Sequence, residues 1–494
     1  MDRFASPEEL VPLIGDWSSS SGPLYRKLAR ALRRAVESGD LPAAQRLPSE
    51  RQLADALAVS RATVVAAYDE LRAGGLLDSR QGSGTRVAAG ASTAAAHASD
   101  GRVPGGKAAA VFQRLIDGPG ELITLACAAE PGLPEVAEVL ADVLREDLPA
   151  LLADHGYRPR GLPVLRDALA AHYTRAGLPT TADQVLATTG AQQALGLVAQ
   201  LYIRPGATVV VESPSSPSCL DVFRAAGARL VTVPVDGEGI RADRLAGVLA
   251  ASRPALLYVM PSFNNPTGVM MSATRRRQVA ALAARHGVPV LEDNTYAAYR
   301  GPADPPPPLA AYAPAGAEVL TAESLGKSVW GGLRVGWVRG TCEIIERLAR
   351  RKALADLGGP VIEQAVAARL MPRMPELVAV RTAELRERLD LMEKLLREQL
   401  PDWRWRRPDG GASLWVELPG GVDAGVYAQV ALRHGVEVVP GAAMDATGEY
   451  DDCLRLPFTF ELPTIVEMIS RLARAWAELE RHGPTEATPL RPVI

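Results

Sequence analysis

The stretch Glu323–Trp337, ESLGKSVWGGLRVGW, places one lysine between two small residues and follows it with glycines and an arginine. Lysine is rare in this 494-residue chain, because only five of its 54 Lys and Arg residues are lysines. Lys327 therefore stands where a primary amine is needed rather than a positive charge alone. An amine reacts with an aldehyde to form a Schiff base, whereas a guanidinium stays protonated and forms no ordinary one.

Four strand-like runs in the C-terminal part of the chain end in polar residues. Alternation of such runs with helix-like segments predicts an α/β fold with a mostly parallel sheet, in which ligands collect at the carboxyl ends of strands. QVLATT ends before Gly190, Ala191 and Gln192; ALLYVMPSF ends before Asn264 and Asn265; VPVLE ends at Asp293, with Tyr296 three residues later; AEVLTAES ends before Lys327. If these strands are neighbours, the polar residues form one site.

A phosphate is the ligand that fits the first of these strand ends. Gly190 precedes a predicted helix, whose N-terminus offers backbone N–H groups and a positive dipole end to an anion. Ser324 lies three residues before Lys327 and Arg334 seven residues after it, so both side chains are expected to reach the same phosphate.

The residues at the other strand ends can bind the remaining groups of a cofactor. Asp293 supplies a carboxylate for a pyridinium nitrogen, Asn265 and Tyr296 can hydrogen-bond a phenolate oxygen, and Lys327 takes an aldehyde as a Schiff base. Phosphate, pyridinium, phenolate and aldehyde together describe pyridoxal 5′-phosphate (PLP). Taken alone, each feature has an ordinary explanation, since NPTG forms turns, an aspartate can cap a loop and a single lysine is often a surface charge.

The N-terminal part has a different organisation. Leucines at 24, 28 and 32 form the stripe of an amphipathic helix, and Ser49 with Gln52 forms a capping box before a second helix. Ser60 can cap a third helix, and LLDSRQGSGTRV predicts a hairpin around glycines 82 and 84. This order predicts a winged helix-turn-helix.

Charge and arginine placement point to DNA as the partner of this part. Residues 21–87 hold 11 Lys and Arg against 7 Asp and Glu, although the whole chain has a net charge of -3. Arg51 and Arg61 stand at the starts of the two helices that would face the duplex, where arginines reach phosphates and guanine edges. The alternative is a small three-helix packing domain.

The segment from Pro23 to Val87 resembles the DNA-binding domain of the GntR family of bacterial regulators. The resemblance rests on PLYRKLARAL, SGDLPAAQRLPSERQLADALAVSRATVVAAYDEL and GLLDSRQGSGTRV. It implies that Arg51, Arg61, Thr63 and Gly82 touch operator DNA.

The chain from about residue 121 to 480 resembles fold-type I PLP-dependent aminotransferases. The matching motifs are YRPRGLPVLR, TTGAQQAL, NNPTG, EDNTY, SLGKSVWGGLRVGW and CLRLPF. The resemblance implies that Arg455 holds a substrate or effector α-carboxylate and that Tyr157 reaches the cofactor phosphate of a partner subunit in a homodimer. Two positions depart from the pattern: Ser216 replaces an aromatic residue that stacks on the cofactor, and Gly326 replaces a phosphate-binding serine. Phe263 is a possible substitute for the stacking ring.

Together the two resemblances identify the chain as similar to the MocR group of GntR-family regulators. This implies a winged helix-turn-helix domain at residues 1–87, a flexible linker at 88–120, and an aminotransferase-like, PLP-binding and dimerising domain at 121–494. The first functional hypothesis is a regulator that senses PLP or an amine or amino-acid effector. The second is a working aminotransferase with a DNA-binding appendage, and the third is a DNA-binding protein whose large domain only dimerises.

Composition sets the remaining expectations. The chain has no apolar run long enough to span a membrane, and its N-terminus MDRFASPEELVPL lacks the pattern of a signal peptide, which predicts a soluble, cytoplasmic protein. Its four cysteines are far apart and show no metal-ligand spacing. They are therefore expected to be reduced and to bind no metal.

Overall fold

The computed structural model describes residues 4–15, 17–18, 22–37, 40–80, 84–88, 120–297 and 305–482, and six positions between 103 and 118. Gly82 and most of the predicted linker lie outside the described residues. One described linker residue, Ala108, is buried and donates its backbone N–H to Asp221 Oδ2 at 2.7 Å. No helix in the described ranges is long and apolar enough to cross a membrane.

The N-terminal domain is a set of four helices and a hairpin around its own apolar core. Its elements are α1 (Pro7–Ile14), α2 (Leu24–Glu37), α3 (Glu50–Leu57), α4 (Arg61–Ala73), β1 (Leu77–Arg80) and β2 (Gly84–Val87). The two strands pair antiparallel, with Leu77 opposite Val87, so the predicted wing is confirmed.

Local capping signals set the helix starts. Ser49 accepts a hydrogen bond from the backbone of Gln52, whose side chain accepts one from the Ser49 backbone. Ser60 accepts from the backbone N–H of Thr63 at the start of α4. Both predicted caps are confirmed. Helix α1 was not predicted, although Ser6 forms a capping box with Glu9 in the same manner.

The C-terminal domain is built on an eight-stranded sheet. Its strands are β4 (Val185–Thr188), β5 (Thr208–Ser213), β6 (Arg229–Asp236), β7 (Gly239–Ile240), β8 (Leu256–Val259), β9 (Val290–Asp293), β10 (Val319–Ser324) and β11 (Gly336–Arg339). The order in the sheet is β4-β11-β10-β9-β8-β5-β6-β7. Pairs β10·β9, β9·β8, β8·β5 and β5·β6 are parallel, while β11 is antiparallel to both β10 and β4. The mostly parallel sheet is confirmed.

This topology brings three of the predicted strand ends together. Strands β8, β9 and β10 are adjacent, so the segments that follow Val259, Asp293 and Ser324 leave the same edge of the sheet. Strand β4 is separated from β10 by β11, which runs in the opposite direction. Gly336 at the start of β11 pairs with Ser324 on one side and Thr188 on the other, so the fourth strand end meets the same edge.

A second, smaller sheet and a two-stranded ladder complete the large domain. The small sheet has the order β12-β13-β16-β15, and β14 pairs in parallel with β3. The bounds are β3 (Ile123–Thr124), β12 (Arg404–Trp405), β13 (Ser413–Glu417), β14 (Val436–Glu437), β15 (Val439–Pro440) and β16 (Cys453–Pro457).

Helices cover both faces of the large sheet, which is buried between two apolar clusters. They are α5 (Glu135–Glu146), α6 (Leu148–Leu152), α7 (Pro163–Arg175), α8 (Ala191–Tyr202), α9 (Pro217–Ala225), α10 (Ala242–Ser252), α11 (Ala273–His286), α12 (Leu325–Ser328), α13 (Cys342–Asp356), α14 (Val361–Leu370), α15 (Met374–Gln399), α16 (Ala424–Arg433) and α17 (Leu462–His482). Burial on both faces explains why β4, β5 and β8 are mostly apolar along their length.

Candidate functional site

The loop between β4 and α8 forms a tight corner at the N-terminus of a 12-residue helix. Gly190 has φ +91°, and a Cβ atom there would lie 2.9 Å from Arg334 Nη2. A Cβ on Gly336 would lie 2.7 Å from the Gly190 carbonyl carbon. Glycine is therefore favoured at position 190 by its positive φ and required at position 336 for the two backbones to approach. The predicted helix start at Gly190, Ala191 and Gln192 lies at this corner.

Arg334 contacts the corner directly. It adopts a left-handed backbone conformation, with φ +51°, and its Nη2 donates to the carbonyl oxygen of Thr189 at 2.7 Å. Helix N–H groups and a guanidinium thus converge at one point, an arrangement that favours an anion.

Lys327 lies on α12, the single turn that follows β10. Its Nζ donates to the carbonyl oxygen of Ala128 and lies 5.6 Å from the centre of the Tyr296 ring. Ser324 caps this turn, and its Oγ accepts from the backbone N–H of Gly326 at 3.4 Å. The amine is therefore next to Tyr296, as the strand order requires.

Asp293 is a buried carboxylate at the end of β9. Tyr258 donates its hydroxyl to Asp293 Oδ2 at 2.8 Å, and the Thr295 backbone N–H donates to Oδ1 at 2.9 Å. Burial raises the pKa of Asp293 above its usual range. A cation in contact with Oδ2 would oppose this shift, because it favours the charged form.

Asn265 and Tyr296 line one small recess beneath the loop that follows β8. Phe263, Ala412 and Ser413 are among the other residues that line it. Both Asn265 and Tyr296 are buried, at 7% exposure each. The structure brings together the side chains that sequence analysis assigned to one phenolate oxygen.

Arg455 on β16 is a buried guanidinium. Its Nη2 donates to the carbonyl oxygens of Leu125 at 2.7 Å and Ala126 at 2.8 Å, while its Nε has no partner among the described residues. No described carboxylate forms an ion pair with it, and burial lowers its pKa. A buried cation without a counter-charge is costly, which marks this position as one for an anionic ligand.

Tyr157 does not join these residues within one chain. Its side chain is 63% exposed, and its ring lies 5.8 Å from that of His155. The predicted contact with a partner subunit's cofactor remains a prediction.

The helix-turn-helix presents its predicted DNA contacts at the starts of α3 and α4. The Arg51 side chain is 86% exposed and approaches Asp55 at 4.0 Å. Arg61 is exposed at the first position of α4. Thr63 is half-buried, and its hydroxyl lies 2.8 Å from that of Ser60, so it shares the helix cap.

Comparison with known proteins adds two family matches. The model for aminotransferase class I and II matches residues 133–472, and that for bacterial regulatory proteins of the gntR family matches residues 24–87. The HTH-type transcriptional regulator YisV of Bacillus subtilis is 30% identical over 486 residues, covering 92% of this chain and 97% of YisV. A Rhizobium meliloti protein named probable rhizopine catabolism regulatory protein MocR is 29% identical, covering 85% of this chain and 86% of its own length.

The chain belongs to the MocR-type group of GntR regulators. Its GntR domain is a DNA-binding domain, and its large domain has the aminotransferase fold. The α-aminoadipate aminotransferase LysN of Thermus thermophilus, solved with N-(5′-phosphopyridoxyl)-L-leucine, superposes with a TM-score of 0.68 at 31% identity. The match covers 75% of this chain and 95% of LysN.

Two buried networks of this MocR-type protein were missed by sequence analysis. The first lies beside Lys327, where Glu130 forms ion pairs with Arg381 at 2.8 Å and Arg388 at 2.9 Å. Burial raises the pKa of Glu130, whereas these arginines and Lys327 lower it. No local sequence pattern predicts that Glu130 contacts two arginines on α15.

The second network supports the corner at Gly190. Thr189 donates its N–H to the Gln193 side chain at 2.9 Å, and Gln193 Nε2 donates to Asp356 at 2.7 Å. Asp356 also pairs with Lys352, which is 1% exposed, at 2.6 Å. Lys352 therefore supports the corner indirectly, through Asp356 and Gln193. The only sequence signal for it is that lysines are rare in this chain.

The two departures from the aminotransferase pattern are both near the site. Ser216 is buried and lies 3.1 Å from the Ser218 hydroxyl. A Cβ atom on Gly326 would lie 3.4 Å from Ser324 Oγ, which is close contact but not exclusion. Phe263 is fully buried with φ +62°, an unusual conformation for an aromatic residue that marks a constrained position.

Glu212 positions the loop that carries Asn265. It accepts hydrogen bonds from the Met260 backbone at 2.8 Å and from Asn264 Nδ2 at 3.0 Å, while Asn264 Oδ1 accepts from the Thr267 hydroxyl at 2.8 Å. Burial raises the pKa of Glu212 from 4.5 to about 7. The folded protein therefore binds this proton more tightly than the unfolded chain.

Glu212 is expected to make the protein less stable as the pH rises. Its stabilising contribution is complete below pH 4.5 and is lost as the pH passes through about 7, a change of roughly 3 kcal/mol. We expect Glu212→Gln to lose correspondingly less unfolding free energy between pH 5 and pH 8, as measured by chemical denaturation. Equal pH dependence in parent and variant would show that Glu212 keeps an ordinary pKa in the folded state.

Proposed function

We propose that this protein is a transcription regulator that binds PLP at Lys327 and senses PLP itself or an amine or amino acid. The observation that carries the proposal is the convergence of the Lys327 amine, the buried Asp293 carboxylate and the α8 N-terminus at one edge of the sheet, in a chain with a GntR domain. The first two are the groups that PLP chemistry requires, and the third suits a phosphate.

The residues present fit PLP. The corner at Gly190 leaves little room for a Cβ atom, and Arg334 contacts this corner at the N-terminus of α8. The phosphate would lie there. Asp293 would hold the ring nitrogen in its protonated form, since its burial disfavours an unpaired negative charge. When bound, PLP would supply an aldehyde that reacts with primary amines. Lys327 would provide the resident amine, and Asn265 with Tyr296 would hydrogen-bond the ring oxygen.

The effector site would use Arg455. Its guanidinium is fully buried, has an unpartnered Nε–H and faces no described carboxylate. An α-carboxylate would supply the missing negative charge and two acceptor oxygens. We therefore propose an amino acid as the favoured effector class, and PLP alone as the alternative.

A homodimer would complete the cofactor site. Tyr157 lies at the surface, as do the apolar side chains of Leu144, Leu152 and Val164 on the neighbouring helices α5, α6 and α7. Exposed apolar groups on successive elements support a partner on this side of the molecule. The partner's copy of Tyr157 would then reach this chain's phosphate.

The second candidate function is an active aminotransferase with a DNA-binding appendage. The retained amine of Lys327, the unpaired Arg455 and the likeness to LysN favour it. Absorbance titration of the purified protein with candidate amino acids, combined with keto-acid analysis, separates the two functions. A spectral change without keto acid supports the regulator, whereas repeated keto-acid formation supports the enzyme. Absence of bound PLP in the purified protein and after reconstitution would overturn both.

Replacement of Arg61 tests the DNA-binding part. Its exposed position at the start of α4 suits base readout, so Arg61→Ala should cost roughly 1–3 kcal/mol on operator DNA and less on random duplex. Fluorescence anisotropy at several salt concentrations measures both affinities. Equal losses on the two duplexes would make Arg61 a phosphate contact. Arg474→Ala, an exposed arginine on α17, is the matched control and should change neither affinity.

A further inference from the structure

The Asp356 carboxylate, at the end of α13, holds two loops in place at once. Its Oδ2 accepts a hydrogen bond from Gln193 Nε2 at 2.7 Å, and its Oδ1 accepts one from the backbone N–H of Gly358 at 3.0 Å. Lys352, one helical turn earlier, donates to both oxygens, at 2.6 and 2.8 Å. Three groups from different parts of the domain therefore depend on the position of one carboxylate.

Lys352 and Asp356 form a charged pair that is largely shielded from water. The side chain of Lys352 is 1% exposed and that of Asp356 is 24% exposed. Burial alone raises the pKa of Asp356, but hydrogen bonds from Lys352 and Gln193 outweigh it and hold the pKa below its ordinary value. The carboxylate is therefore charged in the folded protein. Among the described residues, it is the carboxylate that pairs with the buried Lys352 ammonium.

The first of the two loops is the corner proposed for the phosphate. Gln193 Oε1 accepts from the backbone N–H of Thr189 at 2.9 Å, so Asp356 reaches the residue before Gly190 through one side chain. The carbonyl oxygen of the same Thr189 accepts from Arg334 at 2.7 Å. The helix N-terminus and the guanidinium that would bind the phosphate are both tied to Thr189, which Asp356 holds through Gln193.

The second loop carries Tyr157. The bond from Gly358 to Asp356 fixes the turn that follows α13, in which Gly358 has φ +147°. A Cβ atom on Gly358 would lie 2.8 Å from the backbone nitrogen of Arg158, so this turn packs directly on the residue after Tyr157. The turn that Asp356 holds therefore supports the backbone that presents Tyr157 at the surface.

We propose that Lys352 and Asp356 are positioning residues for the cofactor phosphates of both subunits of a dimer. Through Gln193 they hold the phosphate corner of their own subunit. Through the turn after α13 they hold the loop whose Tyr157 would reach the partner subunit's phosphate. The pair touches neither phosphate, and its loss lowers the affinity of both sites for the phosphate group. This inference rests on the proposed function for the cofactor and the dimer, whereas the hold of Asp356 on the two loops does not.

Hydrogen–deuterium exchange of the ligand-free, full-length protein tests the two holds without any cofactor. Asp356→Ala should speed exchange of the backbone amides at residues 188–194 and at residues 157–162 by roughly two- to tenfold, the effect of losing one or two hydrogen bonds. Exchange equal to that of the parent in either segment would overturn the proposal that this carboxylate holds both loops.

Two further variants make this measurement decisive. Asp236→Ala is the matched control, because Asp236 also pairs with a buried cation, Arg275, and accepts from a backbone N–H two residues later. It should leave both segments unchanged. If Asp356→Ala yields too little folded protein, because its Lys352 ammonium is buried without a counter-charge, Lys352→Met combined with Asp356→Ala removes both charges. The same increase in exchange is expected for this double variant.

Pyridoxal, which lacks the phosphate, separates phosphate positioning from general damage to the site. Asp356→Ala should weaken PLP binding roughly tenfold and change pyridoxal binding little, as measured by the absorbance of the adduct at Lys327. Equal losses for PLP and pyridoxal would overturn the positioning role. A parent protein that forms no adduct with either aldehyde would contradict the proposed function and the phosphate role together, while the exchange experiment would still decide whether Asp356 holds the two loops.

A mixed dimer tests the action on the partner subunit's cofactor. One subunit carries Lys327→Ala with Asp356→Ala and the other is the parent, so only the parent subunit can form the adduct. Its own corner is intact, but the Tyr157 contact comes from the variant subunit. PLP affinity should be roughly two- to tenfold lower than in a mixed dimer whose variant subunit carries Lys327→Ala alone. Equal affinity in the two mixed dimers, or a protein that is monomeric in solution, would overturn the action across subunits.

Discussion

Replacement of Lys327 by alanine is expected to abolish the borohydride-stable attachment of PLP to the chain. Lys327 is the lysine beside Tyr296, and the carboxyl edge of the sheet brings it to the same site as Asp293 and Gly190. Because a side chain without an amine forms no covalent link, the expected loss is complete rather than graded. Borohydride treatment, digestion and mass spectrometry of the peptide containing position 327 measure it directly.

The exposed Lys394 on α15 provides the matched control, and Lys394→Ala should retain the full adduct. Lys352 is the more demanding comparison, because it is a second buried lysine and supports the corner at Gly190 through Asp356. An adduct of undiminished yield in Lys327→Ala would move the assignment to another lysine, with Lys352 the first to examine. It would also remove the central support for the proposed function.

Replacement of Arg455 by alanine is expected to weaken strongly the response to amines that carry a carboxylate. A buried, charged pair between this guanidinium and an effector carboxylate is worth about 3 kcal/mol, which corresponds to roughly a 150-fold loss of apparent affinity when one partner is removed. Absorbance titration with L-alanine measures the loss. Titration with ethylamine, which lacks the carboxylate, is the matched control and should show the same weak response in parent and variant.

The opposite result is equally informative. If Arg455→Ala responds to L-alanine and related amino acids as the parent does, Arg455 does not bind the effector carboxylate. An amine without a carboxylate, or PLP itself, then becomes the favoured effector.

Local signals made the elements that carry the site predictable. Ser49 and Ser60 cap their helices through contacts within one turn, so the helix-turn-helix could be located from sequence. The strands that end at Asp293 and before Lys327 are apolar runs followed by polar residues, a pattern that buried parallel strands impose. These features depend on neighbours in sequence.

Non-local pairing was beyond sequence analysis. Strand β11 runs antiparallel between β4 and β10, and no local pattern indicates that direction. The ion pairs of Glu130 with Arg381 and Arg388 on α15 join residues about 250 positions apart, and the bond between Trp17 and Gln429 spans 412 positions. Such contacts are set by the packing of whole elements, so a single sequence carries no periodic signal for them.

The hydrogen bond from Arg433 on α16 to the carbonyl oxygen of Leu57 in the helix-turn-helix has a consequence for the order in which the chain acquires its structure on the ribosome. Arg433 and Leu57 are 376 residues apart, which at synthesis rates of roughly 5–20 residues per second corresponds to about 20–75 s. The DNA-binding domain has its own core and mostly local contacts, so it can fold long before α16 has been synthesised. Each new molecule is therefore expected to pass through a period in which its helix-turn-helix is formed but does not yet contact α16. The nascent chain is expected to be able to bind DNA before it can respond to any ligand.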